Sequence, residues 1–182
     1  SFGNDGNISQ DRLEDCINSD LANNYGNLCQ RVTSFAIKNC DGKIPEKIKF
    51  EEDDLNILNK FKDNLEKIRS KIDQQNLNFY IDYIVNCIFE ANKYFNDQEP
   101  WKKKDDIIRL NTIVFTSLEI IRKISFLLYP IIPGSVLKAL KIFNLGENDI
   151  KLEDISKNEF LIKGNNINKI DILFKKIEKD ND

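Results

Sequence analysis

The sequence predicts an all-α fold: a bundle of five to six helices with an extended C-terminal tail. Three observations carry this expectation. Between Leu13 and Phe143, apolar residues recur at steps of three and four, the period of one helix face. The breakers fall between the periodic stretches, at Asp41-Gly42, Pro45, Pro100, Pro130, Pro133-Gly134 and Gly146. Carboxylates gather where helices would begin, at Glu51-Glu52-Asp53-Asp54 and Asp105-Asp106, as the helix dipole favours.

The elements follow in order. Ser9 is a good N-cap for a short helix carrying Leu13 and Ile17. A longer helix begins near Ser19 or Asp20. Its stripe is Leu21, Tyr25, Leu28, Val32 and Phe35, and Gly42 can close it in the left-handed conformation. After a loop with Pro45, a third helix shows Leu55, Leu58, Phe61, Leu65, Ile68 and Ile72, followed by the polar turn Asp73–Asn76. The fourth runs from about Leu77 to Asn96, with Tyr80, Ile84, Cys87, Ile88, Ala91, Tyr94 and Phe95 on one side. The fifth, from about Lys104 to Tyr129, is apolar on several faces (Ile108, Phe115, Leu118, Ile121, Leu128) and should be the most buried. A sixth spans Ser135 to about Phe143 and stops at Asn144 and Gly146. The expected division is therefore a bundle over residues 1–146 and a tail over 147–182, packed on the bundle or on a part of the protein outside this chain. Bundles host many functions, so the fold alone assigns none.

Composition narrows the function classes. At 182 residues the chain suits one domain with a real core, and 41% hydrophobic with 31% charged residues is a globular composition. The chain has no His, which excludes Ser-His and Cys-His nucleophiles and imidazole metal sites. It has no Met either, so it reads as a piece of a longer chain. A net charge of −3 speaks against a non-specific nucleic-acid coat. The 27 Ile, 23 Asn and 22 Lys against 5 Arg reflect AT-rich codons, so each Arg weighs more than each Asn or Lys. Cys16, Cys29, Cys40 and Cys87 show no CxxC spacing and read as free thiols in a reducing, cytoplasmic setting. No signal peptide opens the chain, and the longest apolar stretch, around Ile124 to Ile132, is too short to span a bilayer.

Two constellations could carry chemistry. Beside the stripe of the second helix runs a polar row, Asn24, Asn27, Arg31, Ser34 and Lys38. Asn27 and Arg31 sit one turn apart and point the same way. An amide and a guanidinium together present planar donors and one acceptor, which suits the edge of a nucleobase. The same row would equally serve as the solvated margin of an amphipathic helix. Trp101 is the only tryptophan, set behind Pro100 and before Lys102-Lys103-Lys104. A ring beside a basic run suits stacking on a single-stranded base with lysines on phosphates. The plainer alternative is a core Trp filling a gap, with solvated lysines. Asp53-Asp54 and Asp105-Asp106 read as helix caps rather than metal ligands, and no Gly-rich phosphate loop, nucleophile elbow or zinc motif is present.

At these residues the sequence resembles a known family. The blocks are Phe2-Gly3-Asn4-Asp5-Gly6, Ile17-Asn18-Ser19-Asp20-Leu21-Ala22-Asn23-Asn24 and Gly26-Asn27-Leu28 through Arg31. Pro100-Trp101, Leu127-Leu128-Tyr129-Pro130-Ile131-Ile132-Pro133 and the terminal Leu173-Phe174-Lys175-Lys176-Ile177-Glu178 follow in the same order. Together they are similar to the C-terminal anticodon-binding domain of bacterial methionyl-tRNA synthetase. The resemblance implies a helical bundle that reads the CAU anticodon of methionine tRNA. Asn27 and Arg31 are implied to recognise the anticodon cytosine and Trp101 to stack on an anticodon base, with Pro100 and Lys102, Lys103 and Lys104 in support. It implies the anticodon stem-loop of a tRNA and a catalytic half of the same protein as partners, with neither DNA nor a membrane. ATP and Mg would belong to that half, whose HIGH and KMSKS motifs need the His and Met missing here. No cofactor or catalytic residue is expected in this stretch. Lys175 stands where the family usually has Pro, and the appended tRNA-binding or dimerisation module of some members has no counterpart. Two alternatives stay open: the matching domain of an isoleucyl, valyl, leucyl or cysteinyl relative, and a helical protein–protein adaptor anchored through Trp101.

Overall fold

A computed structural model describes residues 24–63 and 77–170. The expectations for Ser9, Leu13, Cys16, Ile17, Leu21, Leu65, Ile68, Ile72 and the stretch beyond Ile170 lie outside the described residues. The described part is built from α1 (Gly26–Asn39), α2 (Glu52–Asp63), α3 (Leu77–Gln98), α4 (Ile107–Leu128) and α5 (Pro133–Leu140). Short 3-10 turns follow α3 and α5 and recur at Glu147–Asp149 and Leu152–Ser156.

The centre is α4. It packs against α1, α2, α3, α5 and the Leu152–Ser156 turn. It is covered on every face, and from Thr112 to Leu128 all its residues are buried. Asp106 caps it, its carboxylate accepting the Arg109 amide at 3.0 Å. The other helices give one face each. On α1, Leu28, Cys29, Val32 and Ala36 are buried and Phe35 is half-buried. On α3, the stripe from Tyr80 to Phe95 is inside as its spacing predicts. Burial pushes the Cys29 thiol up to about 12, so it behaves as a small apolar side chain. Cys29, Cys40 and Cys87 are free thiols.

Two apolar positions depart from the expected faces. Leu55 is 39% exposed and Ile57 is buried in its place. The cause is Asp54, which is drawn inward and fully buried against Arg109, two bonds joining them at 2.6 and 3.0 Å. Positions 54, 57, 58 and 61 then share the inner face, one helical stripe turned away from Leu55. Ile108 is exposed for the same reason on α4, because the first turn points Arg109 inward instead.

The helix ends use the expected residues in a shifted order. Asp41 itself takes the left-handed position (φ 53°), followed by Gly42 (φ 64°), and the Gly42 amide returns to the Ile37 carbonyl at 3.2 Å. Asp54 reaches back to the Glu51 amide at 2.8 Å, closing the start of α2. Pro133 occupies the first turn of α5, and Asn144 (φ 58°) ends the 3-10 turn after it.

Beyond Gly146 the chain folds back over the bundle. Lys43 pairs with Asn166 in an antiparallel bridge, and the Ile44 and Ile167 amides complete it at 2.8 Å each. Deeper in, α4 grips the segment through three buried side chains. Glu119 accepts the Phe160 and Leu161 amides, both at 2.6 Å. Arg122 donates to Glu119 at 2.8 Å, to the Asp154 carbonyl at 2.9 Å and to the Lys157 carbonyl at 2.8 Å. Its guanidinium lies over the rings of Phe126 and Phe160. Lys123 donates to the Ile155 carbonyl and the Asn158 amide oxygen, both at 2.7 Å.

Burial, aided by Arg122 and opposed by Glu119, lowers the Lys123 ammonium from 10.5 to about 7. In the unfolded chain it returns to its ordinary value. Between about pH 7 and 10.5 the unfolded state therefore binds the extra proton, so this lysine makes stability rise with pH across that window and leaves it flat below. In Lys123→Met, this rise should disappear from urea-unfolding midpoints measured between pH 7 and pH 10. Parallel pH profiles for the two proteins would contradict the buried, weakly protonated lysine.

Candidate functional site

The polar row of α1 faces solvent as its spacing requires: Asn24, Asn27, Arg31, Ser34 and Lys38 are all exposed. What the spacing could not show is the opposite wall. The exposed flank of α3 runs beside the row, and the two helices enclose an open depression of about 730 Å³. From α1 come Asn27, Gln30 and Arg31, with Asn24 just before it, and from α3 Phe89, Asn92, Lys93, Asn96 and Asp97. Asn27 and Arg31 thus line one site together.

Arg31 is held against α3. One Nη donates to the Asn96 amide oxygen at 2.6 Å and the other makes a long contact to Asn92 at 3.5 Å. The guanidinium carbon stands 5.5 Å from the centre of the Phe95 ring. Asn92 also donates to the Asn24 carbonyl at 3.3 Å, tying α3 to the residues just before α1. A fixed guanidinium presents its remaining N–H groups in one plane, as bidentate recognition of a base edge needs.

Trp101 does not line the depression; it is linked to Arg31 through Phe95, which both contact. It is 40% exposed, and its ring meets Phe95 nearly edge-on, 66° between planes and 6.0 Å between centroids. Phe95, itself buried, therefore carries Arg31 on one side and Trp101 on another. The ring is thus neither wholly in the core nor free of it: part of it packs on Phe95 and part is open to solvent. The turn that presents it is tightly made. Glu99 adopts a left-handed conformation (φ 44°), Pro100 is buried in the first position of the 3-10 turn, and the Lys102 amide bonds the Glu99 carbonyl at 2.9 Å.

The lysines divide. Lys102 pairs with Glu99 at 2.8 Å, Lys103 is half-buried and Lys104 is exposed. Asp97, Glu99, Asp105 and Asp106 surround them in sequence, so the run is not an isolated basic patch. Asp106 acts as the cap that its position predicts, and Asp54 as both cap and buried partner of Arg109. Among the described residues, no group of three or more Cys, Asp or Glu is placed to hold a metal ion, and no helix is long and apolar enough to cross a membrane.

Sequence reasoning missed the α3 wall. A signal was present: Phe89, Asn92 and Asn96 repeat at steps of three and four along the flank of the apolar stripe, with one ring among amides. Pairing that row with the row on α1 needs the tertiary fold.

Residues 44–182 match the family described as "Anticodon binding domain of methionyl tRNA ligase". Trp101 falls within the match, while Asn27 and Arg31 precede it. The chain is 37% identical over 155 residues to a methionine–tRNA ligase of Brucella suis, covering 85% of this chain and 30% of that protein. A methionine–tRNA ligase of Rickettsia conorii is 34% identical over 186 residues, covering 98% of this chain and 36% of its own length. Apo methionyl-tRNA synthetase of Mycobacterium tuberculosis superposes with a TM-score of 0.82 at 29% identity, over 91% of this chain and 34% of that one. The chain thus spans about a third of the length of the relatives it matches. It belongs to the family of anticodon-binding domains of methionyl-tRNA ligases.

Proposed function

We propose that this domain reads the CAU anticodon of methionine tRNA for a cytoplasmic methionine–tRNA ligase. In this reading, residues 1–146 are the reading bundle and 147–182 its tail. Asn27 and Arg31 recognise the cytosine, Trp101 stacks on an anticodon base, and Pro100 shapes the turn beneath the ring. Methionine activation, with ATP and Mg, belongs to the remaining two-thirds of the protein. The observation that supports the reading most is the shared use of Phe95: one ring contacts both a preset guanidinium and a part-exposed indole. A hydrogen-bonding edge reader and a stacking surface are the two components that a single-stranded base requires.

The −3 net charge fits a site that works by base contacts rather than bulk attraction. Binding of stem-loops bearing CAU, GAU or UAC to this domain tests the assignment. Arg31→Ala should weaken the CAU loop by about 1–3 kcal/mol and relax selection at the cytosine. Alanine at Lys103 and Lys104 should weaken all three loops alike and flatten the salt slope. Lys102, already paired with Glu99, should matter least of the three. Equal losses from Arg31→Ala on cytosine and non-cytosine loops would remove its reading role. Indifference to Trp101→Ala together with salt-independent binding would favour a protein adaptor.

A further inference from the structure

We infer that Phe89 is a second stacking platform for RNA, one that takes a different loop nucleotide from the base on Trp101. The inference rests on the anticodon-reading proposal and extends it. Phe89 is 62% exposed, more than Trp101. A single exposed Phe is ordinary on a protein surface, so its exposure alone says nothing. Its placement does. It is the one aromatic ring among the walls of the depression that Asn27 and Arg31 share, and the rest of that wall is amide or charged.

The helix supplies a ruler. Phe89 and Phe95, the residue on which Trp101 packs, are six residues apart on α3, about 9 Å along its axis and about 120° apart around it. Two rings that sandwich one base must be about 7 Å apart, two stacking distances of about 3.4 Å. Offset in this way along and around the helix, Phe89 and Trp101 do not share a base, and the strand must lead from one to the other. The groups between them suit that path. Asn92 and Asn96 hold Arg31 at mid-depression, and the exposed Lys93 ammonium can meet a phosphate. Base stacking on an aromatic ring tolerates any base. Phe89 thus adds affinity without adding sequence selection, and it fixes the loop conformation in which Asn27 and Arg31 meet the cytosine.

The test is binding of a CAU stem-loop, intact and with one abasic nucleotide moved through the loop, to the wild-type domain and its variants. Phe89→Ala should weaken the intact loop by between about 5- and 150-fold, the range of one lost stack. Phe89→Trp should bind as the wild type. The penalty of Phe89→Ala should vanish when one particular nucleotide is abasic, and that of Trp101→Ala when a different one is. Wild-type binding by Phe89→Ala, no rescue by Phe89→Trp, or both penalties vanishing at one nucleotide would each overturn the inference. If Trp101→Ala and Arg31→Ala are also without effect, the anticodon reading itself fails. If those two weaken binding and Phe89→Ala does not, only the second platform fails. The exposed position keeps the fold out of the comparison, which unchanged unfolding midpoints verify.

Discussion

Arg122→Ala is expected to remove about 3–5 kcal/mol of folding stability, a large part of what a domain of this size commonly has. Arg122 and Glu119 are both fully buried and joined at 2.8 Å. Burial lowers the affinity of the guanidinium for its proton, opposed by the charge and hydrogen bond of Glu119. Removing the cation leaves a carboxylate without its counter-charge and orphans the carbonyls of Asp154 and Lys157. It also uncovers Phe126 and Phe160, whose rings meet edge-on at 5.8 Å with the guanidinium packed over both. Glu119→Gln is the informative partner. Its amide oxygen can still accept from Phe160 and Leu161, so it should lose much less than Glu119→Ala. Urea unfolding gives the energies. Amide exchange should show Leu161 opening well before the α4 backbone in Arg122→Ala, because the tail is released first. A cost under 1 kcal/mol, or a tail as protected as in the wild type, would show that the tail does not depend on this clamp.

The clamp also marks where the sequence stops being legible. The period of three and four exposed the long helices because their burial is one-sided, or, in α4, complete. It exposed the Asn27–Arg31 row because a solvent-facing row repeats with the same period as the core beside it. Glu119, Arg122 and Lys123 gave no such signal. In an apolar helix they look like a polar interruption, yet all three are buried. Their partners are largely backbone groups of residues 154–161, far along the chain, and backbone groups have no sequence signature. Leu55 failed for a related reason. Periodicity counts apolar positions, and it cannot see that a carboxylate will take the inner place when an arginine on another helix meets it. On the site, the ring behind Pro100 and the pair on α1 were visible separately. Phe95, which seats both, was visible only as a core residue.

Asp54→Ala should cost a similar amount, about 3–5 kcal/mol, and should also disturb Trp101. Asp54 is fully buried and takes two bonds from Arg109, at 2.6 and 3.0 Å, with a further one from the Tyr94 hydroxyl. Burial and the Asp54 charge together raise the Tyr94 phenol, so it stays protonated as the donor. For Arg109, burial works against the charge, but Asp54, with Tyr94 and Glu51, outweighs it. The same guanidinium donates to the Gln98 side chain at 2.6 Å. Gln98 is the last residue of α3, followed by left-handed Glu99, Pro100 and Trp101. The buried pair on α2 and α4 thus braces the turn that presents the indole. Because Trp101 is the only tryptophan, its fluorescence reports on that turn without interference. Asp54→Ala should shift the emission of the folded protein and weaken CAU stem-loop binding, beyond lowering the unfolding midpoint. Asp54→Asn keeps the shape and an acceptor, loses the charge and should fall between the two. A destabilised Asp54→Ala whose folded state keeps wild-type emission and wild-type RNA affinity would separate the core pair from the site. Changes in all three readouts, largest for alanine, would establish that the stability of the bundle and the pose of its stacking ring share one buried carboxylate.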